Sequence, residues 1–191
     1  MNVSVSDDIA LHINHLLRAR RTVHEFQQEP VPRALLHEAL DAARWAPNHH
    51  RTEPWRVYLL GIEAQQAIAT LNAENVRAAR GDRAAEVKLA RWSEMPGWLV
   101  MTAPHNDDRL RQQEDYAACC CAAQNFMLSF WSRGVGVKWT TGAVVRQPEF
   151  ADIVGFSATD EYVVGLFWYG WPARVGDQHR AAVDTFVVEV D

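Results

Sequence analysis

The sequence has no long apolar run, few cysteines and no excess of positive charge, and each absence excludes a class of protein. No stretch approaches the roughly 20 apolar residues that a membrane-spanning helix needs. The opening MNVSVSDDIALHI lacks a positive segment followed by an apolar one. These absences predict a cytoplasmic protein with no membrane partner. A formal charge of -5 leaves no basic footprint for a phosphate backbone, so nucleic acid is not an expected partner. The three cysteines are the consecutive Cys119, Cys120 and Cys121. On a helix they point about 100° apart, so they can neither pair with one another nor converge on a metal, and they read as small core residues. Gly134-Val135-Gly136 lacks the third glycine of a dinucleotide fingerprint and does not follow a strand, which excludes a Rossmann domain. There is no G-x-S-x-G elbow, and Ser129 has no visible base. His12 and His15 lie one helical turn apart and His49 and His50 adjoin, but no third ligand arrives at metal-site spacing, so no metal is expected.

What is present fits one folded domain. The 191 residues can bury a single sizeable core, and 48% hydrophobic against 23% charged residues argues against disorder. Ser6 before Asp7 and Asp8 predicts a helix start, with Ile9, Ile13, Leu16 and Leu17 at helical spacing and an end near Arg20. A second helix is expected over about 33–45, where Leu36, Ala39, Leu40 and Ala43 line one face and Pro47 disfavours continuation. A polar loop at 48–53 then leads into a strand at 55–60. Helices over 63–79 and 82–92 precede a strand at 98–102. The longest helix is predicted over 112–133, with Tyr116, Cys120, Ala123, Met127 and Phe130 on its buried face and Gly134 as its stop. A strand at 135–139, a short helix at 148–156, a buried strand at 162–170 and a β-prone tail, FVVEV, complete the chain. Strands separated by unequal numbers of helices predict an α+β fold, an α/β sandwich with a central mixed sheet flanked by helices.

Three stretches carry polar chemistry. Arg20-Arg21-Thr22 sits where a helix gives way to extended chain. Two guanidiniums and a hydroxyl suit a phosphate dianion, because arginine donates in a fixed, always-charged fork. The same arginines also suit a solvated last helical turn, where they complement the dipole. The segment from Ala46 to Trp55, with Asn48, His49, His50, Arg51, Thr52 and Glu53, is either surface or the kind of polar loop that contacts ligands. Trp139-Thr140-Thr141-Gly142-Ala143 offers an aromatic ring and two hydroxyls to a ring system, or else a tryptophan packed at a strand end.

Taken in order, these stretches resemble the nitroreductase family, and most nearly its compact branch. The family's pattern has an arginine pair with a hydroxyl residue ending the first helix, then Ala-Pro, a polar loop and Pro-Trp. Here these are Arg20-Arg21-Thr22 and Ala46-Pro47 through Pro54-Trp55. Trp-x-x-Gly-Ala follows at Trp139 to Ala143, and a final strand ends in Gly170-Trp171-Pro172. The resemblance covers about residues 12–173.

It implies FMN bound at the interface of a homodimer, and a ping-pong oxidoreductase passing electrons from NADH or NADPH to a nitroaromatic, quinone or similar small-molecule acceptor. By the same resemblance Arg20, Arg21 and Thr22 hold the phosphate side of FMN. Trp45 and His49 come from the partner subunit, and Trp139, Thr140 and Thr141 contact the cofactor from the first. The segment Ser129 to Arg133 faces the nicotinamide. Arg174 or Arg180 completes the phosphate site. Independently of the resemblance, the tail from about 174, with the β-prone Thr185 to Val190, is expected to pack on the partner as an added strand. Since the flavin does the chemistry, no residue of the chain is expected to be catalytic. The chain departs from the family in carrying Arg51 and Glu53 where asparagine and glutamine are frequent. A cation at Arg51 favours an anionic reduced flavin by Coulomb attraction, and Glu53 opposes this unless paired with Arg51 or Arg56. A flavin-storage or redox-sensing module on the same fold is the rival reading.

Overall fold

Helix α1 (Asp7–Ala19) begins where Ser6 accepts a hydrogen bond from the Ile9 N–H at 3.4 Å, with Asp7 and Asp8 set against the helix's positive end. The structure is a computed structural model that describes residues 6–190; the first five residues, part of the basis for the expected location, and Asp191 of the expected tail lie outside it. None of α1 is buried, and Ile9, Leu11, Ile13 and Leu17 stand open on its surface.

Four strands form the central sheet: β2 (Arg56–Leu59), β3 (Gly97–Pro104), β4 (Gly136–Thr140) and β5 (Glu161–Gly170), in the order β2-β3-β5-β4. Every pairing among them is antiparallel. The expected parallel component is confined to one bridge, Thr22 to Val137, at the β4 edge. Helices cover both faces, so alternate residues of β3 enter different cores. Leu99 and Met101 pack with Leu36, Ala39, Phe126 and Phe130 beneath α2 (Arg33–Ala43) and α5 (Arg109–Ser132). Trp98 and Val100 pack with Ile68, Trp92, Phe150 and Trp168 beneath α3 (Ile62–Arg80), α4 (Asp82–Ser93) and α6 (Pro148–Val154). The expected α+β sandwich is borne out.

Most boundaries follow local chemistry that the sequence displays. Gly81, at φ 81°, breaks what would otherwise be one long helix into α3 and α4. Gly134, at φ 77°, stops α5, and the Val135 N–H closes back on the Phe130 carbonyl at 3.0 Å. Helix α5 starts earlier than expected because Asp108 caps it, accepting from the N–H groups of Leu110 and Arg111. Its buried stripe is also rotated from the expected one. Asp115, Ala118, Cys119, Ala122, Ala123, Phe126, Met127 and Phe130 face inward, whereas Tyr116 is exposed and Cys120 half-buried. The small residues Ala118 and Ala122 allow close approach on this side, and Asp115 can be buried because it is hydrogen-bonded. Cys119 is a core residue whose thiol burial pushes up to about 12, which agrees with an inert packing role.

Two short strands were not visible in the hydrophobic pattern: β1 (Glu25–Phe26) pairs antiparallel with β6 (Pro172–Arg174). The FVVEV tail forms no strand within this chain, and Phe186, Val188 and Val190 are exposed. Among the described residues no helix is long and apolar enough to cross a membrane.

The chain between α1 and β1 docks on the sheet edge through Val23, which is fully buried and donates its N–H to the Val137 carbonyl at 3.2 Å. Gly136 makes this possible, since a Cβ there would lie 2.8 Å from Val23 Cβ and 3.1 Å from Pro172 Cγ. Gly136→Ala should therefore destabilise the fold by about 1–3 kcal/mol through overpacking. Urea denaturation measures this, and an unchanged midpoint would refute the tight docking.

Candidate active site

The site is built on the segment that leaves α1. Arg20 abandons helical geometry at ψ 133° while its N–H still bonds the Leu16 carbonyl at 3.1 Å. The chain then runs extended, with Val23 turned inward and Thr22 and His24 outward. Arg21 folds back on the helix end, donating from Nη1 to the carbonyls of Arg18 at 2.5 Å and Arg20 at 3.1 Å. It thus performs the dipole-complement role, yet it also lines two clefts.

One cleft, of about 470 Å³, is lined by Arg21, Thr22, His24 and Arg174, but also by the acids Glu25 and Asp177. The other, of about 340 Å³, gathers Arg18, Arg20, Arg21 and Arg180 with Gln178 and no carboxylate. Among the described residues, Arg20, Arg21 and Arg180 make no ion pair. Burial lowers the Arg20 pKa, and the like charges of Arg180 and Arg21 lower it further. Crowded guanidiniums of this kind are relieved by an anion.

The positive region extends to residues that carried no sequence motif. Burial lowers the His24 pKa, with Lys138 and Arg91 adding to the effect and Glu25 opposing it. Lys138 lies with its ammonium 4.8 Å from the Trp168 ring centre, and burial depresses its pKa. The signal for both was two-residue alternation: His24 shares an outward side with Thr22, and Lys138 alternates with Val137 and Trp139.

The polar loop after α2 is tied to α5 rather than left as surface. Thr52 Oγ1 donates to the Asp115 carboxylate at 2.6 Å, Asn48 Nδ2 donates to Thr52 Oγ1 at 3.0 Å, and the Glu53 N–H donates to Asn48 Oδ1 at 2.7 Å. Asp115 is 3% exposed, so these bonds anchor the loop to the core. His49 faces Glu114, with Nδ1 and Oε1 3.1 Å apart. Arg51 is exposed at φ 53°, and Trp45 is 73% exposed beneath the Arg44 guanidinium. Among the described residues neither Glu53 nor Arg51 forms an ion pair, and Arg56 is engaged by Glu161 at 3.3 Å. The neutralising pair considered for Glu53 is absent.

Trp139 is half-buried, stacked on Phe167 at 5.2 Å, and donates from Nε1 to the Val164 carbonyl at 3.2 Å. Its packing against Gly165 fixes the strand end from which Thr140 and the exposed Thr141 project. Thr141 borders a cavity of about 520 Å³ shared with His105, Arg146, Glu161 and Tyr162. Burial pushes the Tyr162 phenol up to about 12, so it stays protonated at neutral pH. In the Ser129–Arg133 segment, Arg133 is committed to Glu38 at 2.6 Å, which joins α5 to α2.

A family model described as the nitroreductase family matches residues 17–171. The chain belongs to the nitroreductase family. YfhC of Bacillus subtilis (strain 168), provisionally named an NAD(P)H nitroreductase, is 29% identical over 168 residues, covering 84% of this chain and 84% of its own. A nitroreductase-like family protein from Bacillus cereus superposes with a TM-score of 0.83 at 29% identity, over 100% of this chain and 99% of its own. The FMN-dependent nitroreductase NfnB from Mycobacterium smegmatis, solved with NADPH, superposes with a TM-score of 0.74 over 96% of this chain and 100% of its own. At 16% identity that is a likeness of fold alone.

Within this nitroreductase fold, the bond between Thr52 and Asp115 holds the polar loop in place. Thr52→Val should cost about 1–3 kcal/mol, since a buried carboxylate loses a hydroxyl partner, and should speed tryptic cleavage after Arg51. A stability within about 0.5 kcal/mol of the parent in urea denaturation would show that the loop is held by something else.

Proposed function

We propose that this nitroreductase family member is an FMN-dependent oxidoreductase that takes electrons from NADH or NADPH and passes them, in ping-pong fashion, to a nitroaromatic, quinone or similar organic acceptor. The observation that carries the reading is the convergence of Arg20, Arg21 and Arg180, without a neutralising carboxylate, on one cleft; Thr22 lines the neighbouring cleft, which Arg21 shares. The residues fit an FMN phosphate, because its two charges offset the burial, and then the like-charge crowding, that together lower the Arg20 pKa.

Arg180 is assigned to the phosphate in preference to Arg174, whose cleft also holds Glu25 and Asp177. Bound FMN supplies the hydride chemistry. The chain's own residues bind and orient it: the guanidiniums grip the phosphate, while Trp139, Thr140 and Thr141 contact the ring system. The cavity beyond Thr141 receives the acceptor. Trp45, His49 and Arg51 serve the site across the subunit boundary, as the 73% exposure of Trp45 in a single chain favours.

The visible spectrum tests the reading directly. Protein reconstituted with FMN should be yellow, bleach with NADH or NADPH under nitrogen, and recover colour when a nitroaromatic or quinone is added. A yellow protein that will not bleach points instead to storage or sensing. Changing Arg20 and Arg21 together to alanine should weaken FMN binding by roughly two to four powers of ten, at about 1.5–3 kcal/mol per charge-assisted contact. Circular dichroism should stay near native and riboflavin affinity should barely change. Unchanged FMN affinity would move the phosphate site to Arg174.

We further propose an obligate homodimer with FMN at its interface. The open apolar face of α1, with Ile9, Leu11, Ile13 and Leu17, and the exposed tail residues Phe186, Val188 and Val190 support it. Such interfaces bury about 2,000 Å² or more in total. Sedimentation at micromolar concentration should give a single dimeric species, and a folded monomer would overturn the proposal.

A further inference from the structure

His49, His50 and Glu114 offer one ligand atom each within 4.8 Å of one another, although Glu114 is 64 residues away from His50 in sequence. Adjacent side chains in extended or helical chain diverge. Here His50 takes the left-handed conformation, φ 61° and ψ 5°, which turns its ring onto His49 with centroids 3.9 Å apart and planes 11° from parallel. The bonds from Thr52 to Asp115 and from Asn48 to Thr52 pin the loop to α5, so Glu114, the residue before Asp115, meets His49 from the helix side.

From this arrangement we infer a zinc site formed by His49, His50 and Glu114, with its fourth position open to water. Two imidazoles and a carboxylate are a donor set that zinc accepts with one coordination position unfilled by protein. Metal–ligand bonds of about 2.0–2.1 Å in a tetrahedron place neighbouring ligand atoms about 3.3 Å apart. The His49 Nδ1 to Glu114 Oε1 separation of 3.1 Å already matches one edge. The most distant pair must close by roughly 1.5 Å to reach that spacing. Because stacked rings hold their in-plane lone pairs nearly parallel, one imidazole must also swing out of the stack to bind; the exposure of both histidines leaves room for this. Nitrogen donors of this kind discriminate against magnesium and calcium, which require oxygen ligands. All three ligands belong to one chain, so the site does not need the flavin reading. Since His49 is also proposed to serve the partner's FMN, zinc and flavin compete for it, and titration with and without added FMN separates the two readings.

Untagged protein, titrated with zinc chloride alone in a calorimeter, should take up about one zinc per chain, and magnesium chloride should give no binding heat. Glu114→Gln and His50→Asn should each weaken zinc binding by roughly tenfold or more; asparagine is chosen because it tolerates the left-handed backbone at position 50. In the unmutated protein, zinc should protect His49 and His50 from diethylpyrocarbonate, as read by peptide mass spectrometry, a measurement independent of how the variants fold. Absence of stoichiometric uptake, unprotected histidines, or folded variants that bind as tightly as the parent would each overturn the site.

Discussion

The candidate active site depends on the docking of residues 20–26 against the β4 edge. Val23 is the wedge, buried completely against Gly136, and the Thr22–Val137 bridge sets the register. With that register fixed, side-chain alternation sends Val23 into the core and leaves Thr22 and His24 facing outward. The pairing of β1 with β6 then brings the C-terminal segment alongside, so that Arg174 and Arg180 meet the end of α1. A positive surface on a chain of net charge -5 thus arises from strand pairing and not from composition.

A second anchor acts on the other side of the core. Burying a carboxylate is costly unless its oxygens are hydrogen-bonded, and Asp115 meets that condition through Thr52. Because Asp115 lies among alanines on α5, the bond ties an otherwise polar loop to the most deeply packed helix. His50, Arg51 and Glu53 all hold positive φ in that loop, conformations costly to residues with side chains and persistent only where the surroundings over-determine them.

Much of the fold was legible because its signals are local. Helix starts at Ser6, the stop at Gly134 and the buried β5 run each follow from a few consecutive residues. The family pattern was legible for the same reason, since each motif is short and sits at an element end. What escaped was set by distant partners. The two-residue strands β1 and β6 are too short for any period, and only their mutual pairing defines them. The buried stripe of α5 turned on Asp115, a charged residue that periodicity assigns to solvent until Thr52 is seen beside it. Adjacent histidines without a third ligand read as surface, and Glu114 joined them only through the loop's attachment to α5. His24 and Lys138 were hidden similarly, being single cations whose meaning lies in their neighbours.

The distance in sequence between Arg20 and Arg180 bears on the order in which the protein folds. The cation cluster joins the end of the first helix to a segment 160 residues further along, reached through a short strand pair and a stretch without regular structure. Contacts of such high sequence separation form late, because the loop between them must close first. The sheet and its helices can therefore assemble before the anion cleft exists. Its ligand has no complete receptor until the rest of the fold is in place, and loading follows folding.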